Sequence, residues 1–225
     1  VRAKLNFTQK ALTEIFLGKI TKWNDPALTI ANPGVNLPDK AIIVVHRADG
    51  SGTTFAFTDF LSKANPAWLS RVGRGKAVKW PVGLAGKGNE GISGLVQQMP
   101  YSIGYVEFGY AVHNKLSYGR VENAAGKFID CTTKSVTNAA ASATMPADFR
   151  VSITNAAGAE TYPIATFTWL LVYKEQEDLV KGKALVRFLK WMLHEGQQFA
   201  GPLGYAPLPL EVIKLEEAAI KKIGL

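Results

Sequence analysis

The sequence predicts an α/β fold with a mainly parallel sheet and flanking helices. Short β-branched apolar runs alternate with stretches whose apolar residues recur at helical spacing, and glycine-rich turns lie where one kind passes into the other. The chain of 225 residues is 47% hydrophobic and 20% charged, enough to bury a core as one large domain or two small ones. No uninterrupted apolar run approaches the ~18 residues that would suggest a membrane span. In folds of this class ligands sit at the carboxyl ends of the strands, so candidate sites are sought there.

Residues 1–17 predict a short extended entry and then a helix capped near Thr8, with Leu12, Ile15 and Phe16 at helical spacing and Gly18 as its stop. The turn chemistry of N-D-P at 24–26 and N-P-G at 32–34 predicts a loop, under which Trp23 packs as core. Residues 41–46 read as a strand of the fully buried kind, ending in His46 as a hydrogen-bonded structural histidine. A helix over 53–64 carries Phe55, Phe57, Phe60 and Leu61, a density of aromatics that means core, and N-P at 65–66 ends it or begins the next turn. Residues 76–80 predict a short strand, 83–91 a second glycine-rich loop, and 89–99 a helix. A strand over 101–106 and a short helix over 108–116 follow, with Tyr105, Phe108 and Tyr110 as core and cleft wall.

Small and turn-forming residues dominate 117–163. N-A-A-A-S-A-T at 138–144 reads as a loop or loose helix, and T-N-A-A-G at 154–158 as a linker, so the chain is divided there into 1–158 and 159–225. Residues 165–173 are the most strand-like run of all. Phe167, Trp169, Leu171 and Tyr173 fall on one face and Thr166, Thr168, Leu170 and Val172 on the other, which predicts that both faces are covered. Two amphipathic helices close the chain, one over 182–200 with Leu185, Phe188, Leu189, Met192 and Leu193 on its apolar stripe, and one running to about residue 223. His194 falls in the last turn of the first, where a cation suits the helix dipole.

The stretch that organises the rest is H-R-A-D-G-S-G-T-T, residues 46–54, which joins a strand to a helix. Gly50 and Gly52 let the backbone turn sharply and expose its amides, Ser51, Thr53 and Thr54 add hydroxyls, and the following helix aims its positive end at the same point. Arg47 brings a planar fork suited to a tetrahedral oxyanion, and Asp49 is placed to hold that fork. The same pattern also fits an ordinary strand-to-helix turn with Ser51 or Thr53 as N-cap and a surface Arg47/Asp49 pair.

Together with I-F-L-G-K-I-T-K-W-N-D at 15–25, W-P-V-G-L-A-G-K-G-N-E-G at 80–91 and I-G-Y-V-E at 103–107, this stretch resembles the periplasmic phosphate-binding proteins of ABC-type phosphate importers. The similarity runs in order along most of the chain. It implies a periplasmic-binding-protein-like fold of two lobes, with inorganic phosphate bound in the cleft between them by Arg47, Ser51, Gly52 and Thr53 and with Asp49 in support. It further implies delivery to the transmembrane subunits of an ABC permease, a periplasmic or extracytoplasmic location, no cofactor, no metal and no catalysis. In the family a further segment before the position of Val1 supplies a Thr, a Ser and an Asp to the phosphate. The chain is therefore expected to be a fragment, with 1–158 the second lobe and 159–225 the C-terminal part of an incomplete first lobe, in which the strand over 165–173 presents unpaired edges and exposed Phe167, Trp169 and Leu171.

Other function classes are weighed on the residues themselves. The formal net charge is +8, but the cationic residues are scattered in short clusters without interleaved aromatics, which argues against nucleic acid. The three histidines form no metal-binding spacing, the single Cys131 excludes an internal disulfide, and G-S-G at 50–52 is not a nucleophile elbow, so catalysis is disfavoured. The alternatives are a nucleotide- or dinucleotide-binding enzyme using Gly86, Gly88 and Gly91, which satisfy G-x-G-x-x-G, or a ligand-free interaction protein. Against the first stand Pro81 and the gap between the strand expected at 76–80 and Gly86.

Overall fold

In the computed structural model, which describes residues 4–225, a two-residue strand, β1 (Asn6–Phe7), leads into α1 (Gln9–Phe16), and the Thr8 side chain caps that helix by accepting from the Ala11 amide. Gly18 ends the turn in the left-handed region, φ 71°, where a side chain would also strike Val82. Of the extended entry expected ahead of this helix, residues 1–3 lie outside the described residues. The loop expected over 24–34 contains a short helix, α2 (Pro26–Ala31). Asp25 caps the Ala27 amide, and Pro26 takes the first helical position, which needs no donor. Trp23 is buried and donates its indole N–H to the Tyr101 carbonyl at 2.9 Å.

Strand β2 (Ile43–Arg47) is the middle of a parallel three-stranded sheet, between β3 (Leu84–Gly86) and β4 (Ser102–Ile103). Arg47 stands opposite Gly86 and Val44 opposite Ile103. Helices α3 (Gly52–Ala64) and α4 (Pro66–Arg71) follow β2, and α5 (Gly88–Gln98) follows β3 and packs on β2. The strand expected over 76–80 does not form. Its backbone is turned toward the loop before α3, where the Ser51 amide donates to the Lys76 carbonyl at 2.8 Å, and Trp80 is spent stacking on His46 at 5.0 Å. The strand expected over 101–106 is cut to two residues, since Tyr101 sits at φ 67° and breaks the extended backbone before it.

A second sheet is closed from distant parts of the chain. Strand β5 (Arg120–Glu122) pairs parallel with β1 and antiparallel with β6 (Phe128–Ile129). Helix α6 (Phe108–His113) precedes it, and α7 (Thr133–Ala141) follows, opened by a capping box of Thr132 and Ser135. Of the region read as loop or loose helix and as linker, 138–141 is helical and 154–158 forms no helix or strand. Its small residues are packing residues: Ala139 and Ala140 are buried against Ile153 and Ala165. The main core joins α1, α3 and α4 through Ile15, Phe16, Phe60, Leu61 and Trp68, with Phe7 and Val44 from the two sheets.

Residues 165–173 make no ladder, and the expectation that both faces are covered is overturned. Ala165 is buried, but Leu171 is 96% and Tyr173 87% exposed. No described strand lies alongside to take the backbone bonds, so the β-branched and aromatic pattern is present without a partner. Helix α8 (Leu179–Leu193), capped by Asp178, stops earlier than expected and passes into a 3-10 turn, Glu195–Phe199. Helix α9 (Leu210–Ile220) packs on it through Leu193, Ile213 and Ile220. His194 reaches across to Glu217 at 2.8 Å, so it joins two helices in addition to ending one.

Candidate anion-binding site

Strand β2 ends at Arg47 and α3 begins at Gly52, and one buried ring ties the two. The Arg47 amide donates to the Tyr105 hydroxyl at 3.2 Å, and that hydroxyl shares a 2.7 Å bond with Thr54 Oγ1. Tyr105 is itself stacked on Phe57 at 4.5 Å and on Trp80 at 5.6 Å. Burial, outweighing the Thr54 hydrogen bond, raises its hydroxyl above the ordinary phenol value and keeps it neutral. The loop therefore rests on a rigid aromatic floor.

The Arg47 side chain is 9% exposed. Its Nε donates to Asp49 Oδ1 at 2.8 Å, its Nη2 pairs with Asp49 Oδ2, and its Nη1 donates to Asn89 Oδ1 at 3.2 Å. Asp49 Oδ1 also accepts from the Gly88 amide at 3.0 Å. The hydrogen bonds from Arg47, then that from Gly88, hold the Asp49 carboxyl well below the usual carboxylate range, and the bond to Asp49 in turn raises Arg47. Three of the five guanidinium N–H groups are engaged, which leaves two for a ligand.

Ser51 is the N-cap that one reading of its loop expected, and its geometry fits the other as well. Its Oγ accepts from the Thr54 amide at 3.2 Å as the N-cap of α3, using a lone pair and leaving the hydroxyl proton free to donate. The amides of Gly52 and Thr53 and the Thr53 hydroxyl find no protein acceptor among the described residues, and the space where a Gly52 Cβ would stand is open. Ser51, Gly52 and Thr53 thus carry unused donors at the positive end of a 13-residue helix, on the loop that begins at the pinned Arg47. That arrangement suits a tetrahedral oxyanion.

The second glycine-rich loop requires a correction. Gly86 ends β3 and the G-x-G-x-x-G stretch runs straight into α5, so the gap argued from a strand at 76–80 does not exist. What disfavours a dinucleotide is the occupancy of that helix end. Gly88, at φ 69°, turns its amide onto Asp49, and a side chain there would collide with the Glu90 carboxylate, which also accepts from the Tyr110 hydroxyl at 2.7 Å. With the Gly88 amide taken by Asp49 and the Glu90 carboxylate in its first turn, that helix end is unsuited to a pyrophosphate.

No group of three or more His, Cys, Asp or Glu side chains able to hold a metal lies among the described residues. Burial pushes the Cys131 thiol up to about 12, which makes it an inert filler. Sequence reasoning missed Tyr105, Thr54 and Asn89 as supports of the loop. Their link to Arg47 is made in space, and only the unexplained G-K-G-N-E-G stretch hinted at Asn89.

The family model for the PBP superfamily domain matches residues 2–195. The chain is 47% identical over 217 residues to the phosphate-binding protein PstS of Xylella fastidiosa, covering 96% of this chain and 60% of that protein. To the phosphate-binding protein PstS of Pasteurella multocida it is 46% identical over 220 residues, 97% of this chain and 64% of that one. Its fold is similar to a phosphate-binding protein from Stenotrophomonas maltophilia, with TM-score 0.67 and 19% identity over 96% of this chain and 65% of that chain. It is also similar to a human phosphate binding apolipoprotein, with TM-score 0.71 and 18% identity over 97% of this chain and 66% of that chain. The chain thus spans about 60% of the length of the Xylella relative.

Proposed function

From the premise that this chain belongs to the PBP superfamily, we propose that it is part of a receptor that binds inorganic phosphate and hands it to an ABC-type import permease outside the cytoplasm. The observation that carries this reading is the set of unpaired donors at Ser51, Gly52 and Thr53 on the loop that begins at a pinned Arg47. A dehydrated oxyanion gains charge-assisted hydrogen bonds there without needing several full positive charges. The names of the relatives from Xylella and Pasteurella support the same ligand. In this reading residues 1–158 form the lobe that carries the loop and 159–225 belong to the other lobe, and the protein is a carrier without a catalytic step.

Asp49 is committed to Arg47 and Gly88. It does not serve as the acceptor for the proton that distinguishes phosphate from sulfate, and that role falls to another group. Calorimetric titration of the protein carrying this chain with phosphate, sulfate and a nicotinamide cofactor tests the proposal. Phosphate is expected to bind and the cofactor to give no heat. Arg47→Ala should weaken phosphate binding at least tenfold, since a hydrogen bond to a charged group contributes ~1.5 to 3 kcal/mol. Thr53→Ala should weaken it in the same direction. Affinity unchanged in both variants would remove the loop from the site.

A further inference from the structure

The G-K-G-N-E-G stretch at 86–91 binds no ligand in the reading above, yet it touches both members of the Arg47–Asp49 pair. The Gly88 amide holds Asp49 Oδ1 at 3.0 Å, and one residue on, the Asn89 side-chain oxygen accepts from Arg47 Nη1 at 3.2 Å. The Glu107 amide points at the same Asn89 oxygen from 3.5 Å. Two donors facing one atom fix that atom as the carbonyl end of the amide.

We infer that Asn89 is a positioning residue of the anion site, holding the third nitrogen of the Arg47 guanidinium so that the two free N–H groups face the ligand. The inference rests on the phosphate reading. Asp49 is tied to α5 only through the one Gly88 amide, and its own side chain is a third exposed on the turning loop. Asn89, in the first turn of the same 11-residue helix packed on β2, adds a second tie to α5 that reaches the guanidinium directly. The left-handed turn at Gly88, φ 69°, brings the amide and the side chain of successive residues to bear on the one ion pair. The second glycine-rich loop is thereby a brace for the first.

A double-mutant cycle separates this role from a merely structural one. Asn89→Ala is expected to weaken phosphate binding about tenfold in the parent, in keeping with loss of a hydrogen bond to a charged group, and less than twofold in an Arg47→Ala background titrated to millimolar phosphate. Equal losses in both backgrounds, or no loss in the parent, would overturn the inference. A second readout needs no ligand: nitrogen-15 NMR of the Arg47 guanidinium should show slow rotation about Cζ–Nη1 in the parent. Rotation should speed up in Asn89→Ala and stay slow in Asn89→Asp, which keeps the acceptor. If the parent binds no phosphate the receptor reading fails and the NMR result alone decides. Unchanged rotation in Asn89→Ala would then reject the positioning role as well.

Discussion

At Ser51 a single hydroxyl caps α3 through a lone pair and, in the proposed phosphate reading, gives its proton to the ligand, and the two roles separate by substitution. Ser51→Ala loses both, so it should cost ~0.5 to 2 kcal/mol of stability and weaken phosphate binding. Ser51→Asp keeps a good cap but places a carboxylate where the proposed anion would sit. Its thermal unfolding should stay close to the parent while phosphate titration shows no binding; binding retained in Ser51→Asp would show that the anion lies elsewhere. Residues of this kind were legible in the sequence because loop, cap and donors are contiguous between 46 and 54. Tyr105 and Asn89 were not, since a hydrogen bond between residues far apart in the chain leaves no periodic trace.

At the scale of the element, α3 is fastened at both ends. Its middle carries Asp59, 1% exposed, which accepts from Ser152 Oγ at 2.6 Å and from Thr154, and pairs with Arg74 at 3.0 Å and Lys63 at 3.1 Å. Burial by itself would raise the carboxyl, but the hydrogen bonds from Ser152, Thr154, Lys63 and Arg74 outweigh it and hold it at about 2. The folded value lies below the unfolded one of ~3.9, so the stabilisation is complete above the unfolded value and is lost as pH falls through the folded one. Urea unfolding from pH 6 down to pH ~2 should show the parent losing ~2 to 3 kcal/mol relative to Asp59→Asn, with the gap closing at the acid end. A gap independent of pH would mean that Asp59 is not ionised in the fold. The elements that misled were strands. Residues 165–173 have the alternation and composition of a strand, whereas β3, Leu84–Gly86, has almost none. A ladder needs a neighbour, and for β3 that neighbour is β2. Helices were read more closely, because Thr8 and Ser51 are local caps that act within their own turn.

For the molecule as a whole, the parallel α/β architecture was legible from alternation alone, while the sheet joining β1 to β5 was not. The run without a ladder has a consequence for solution behaviour. Trp169, Leu170, Leu171 and Tyr173 are all exposed, and a contiguous apolar strand-like segment recruits other chains. The 225-residue chain should associate as its concentration rises, and Leu171→Lys should shift it toward monomer in sedimentation velocity. A parent that stays monomeric throughout would rule out that surface. The sheet that joins β1 to β5 carries a different consequence. The Gln9 amide donates to the Glu122 carboxylate across 113 residues, a closure whose entropy costs ~4 kcal/mol before any contact returns it. At a synthesis rate of ~5 to 20 residues per second, the partner of β1 emerges on the order of ten seconds after β1 itself. Through that interval β1 has no partner, whereas the sheet of β2, β3 and β4 is complete once Ile103 has emerged, so the sheet that joins β1 to β5 is the later of the two to close.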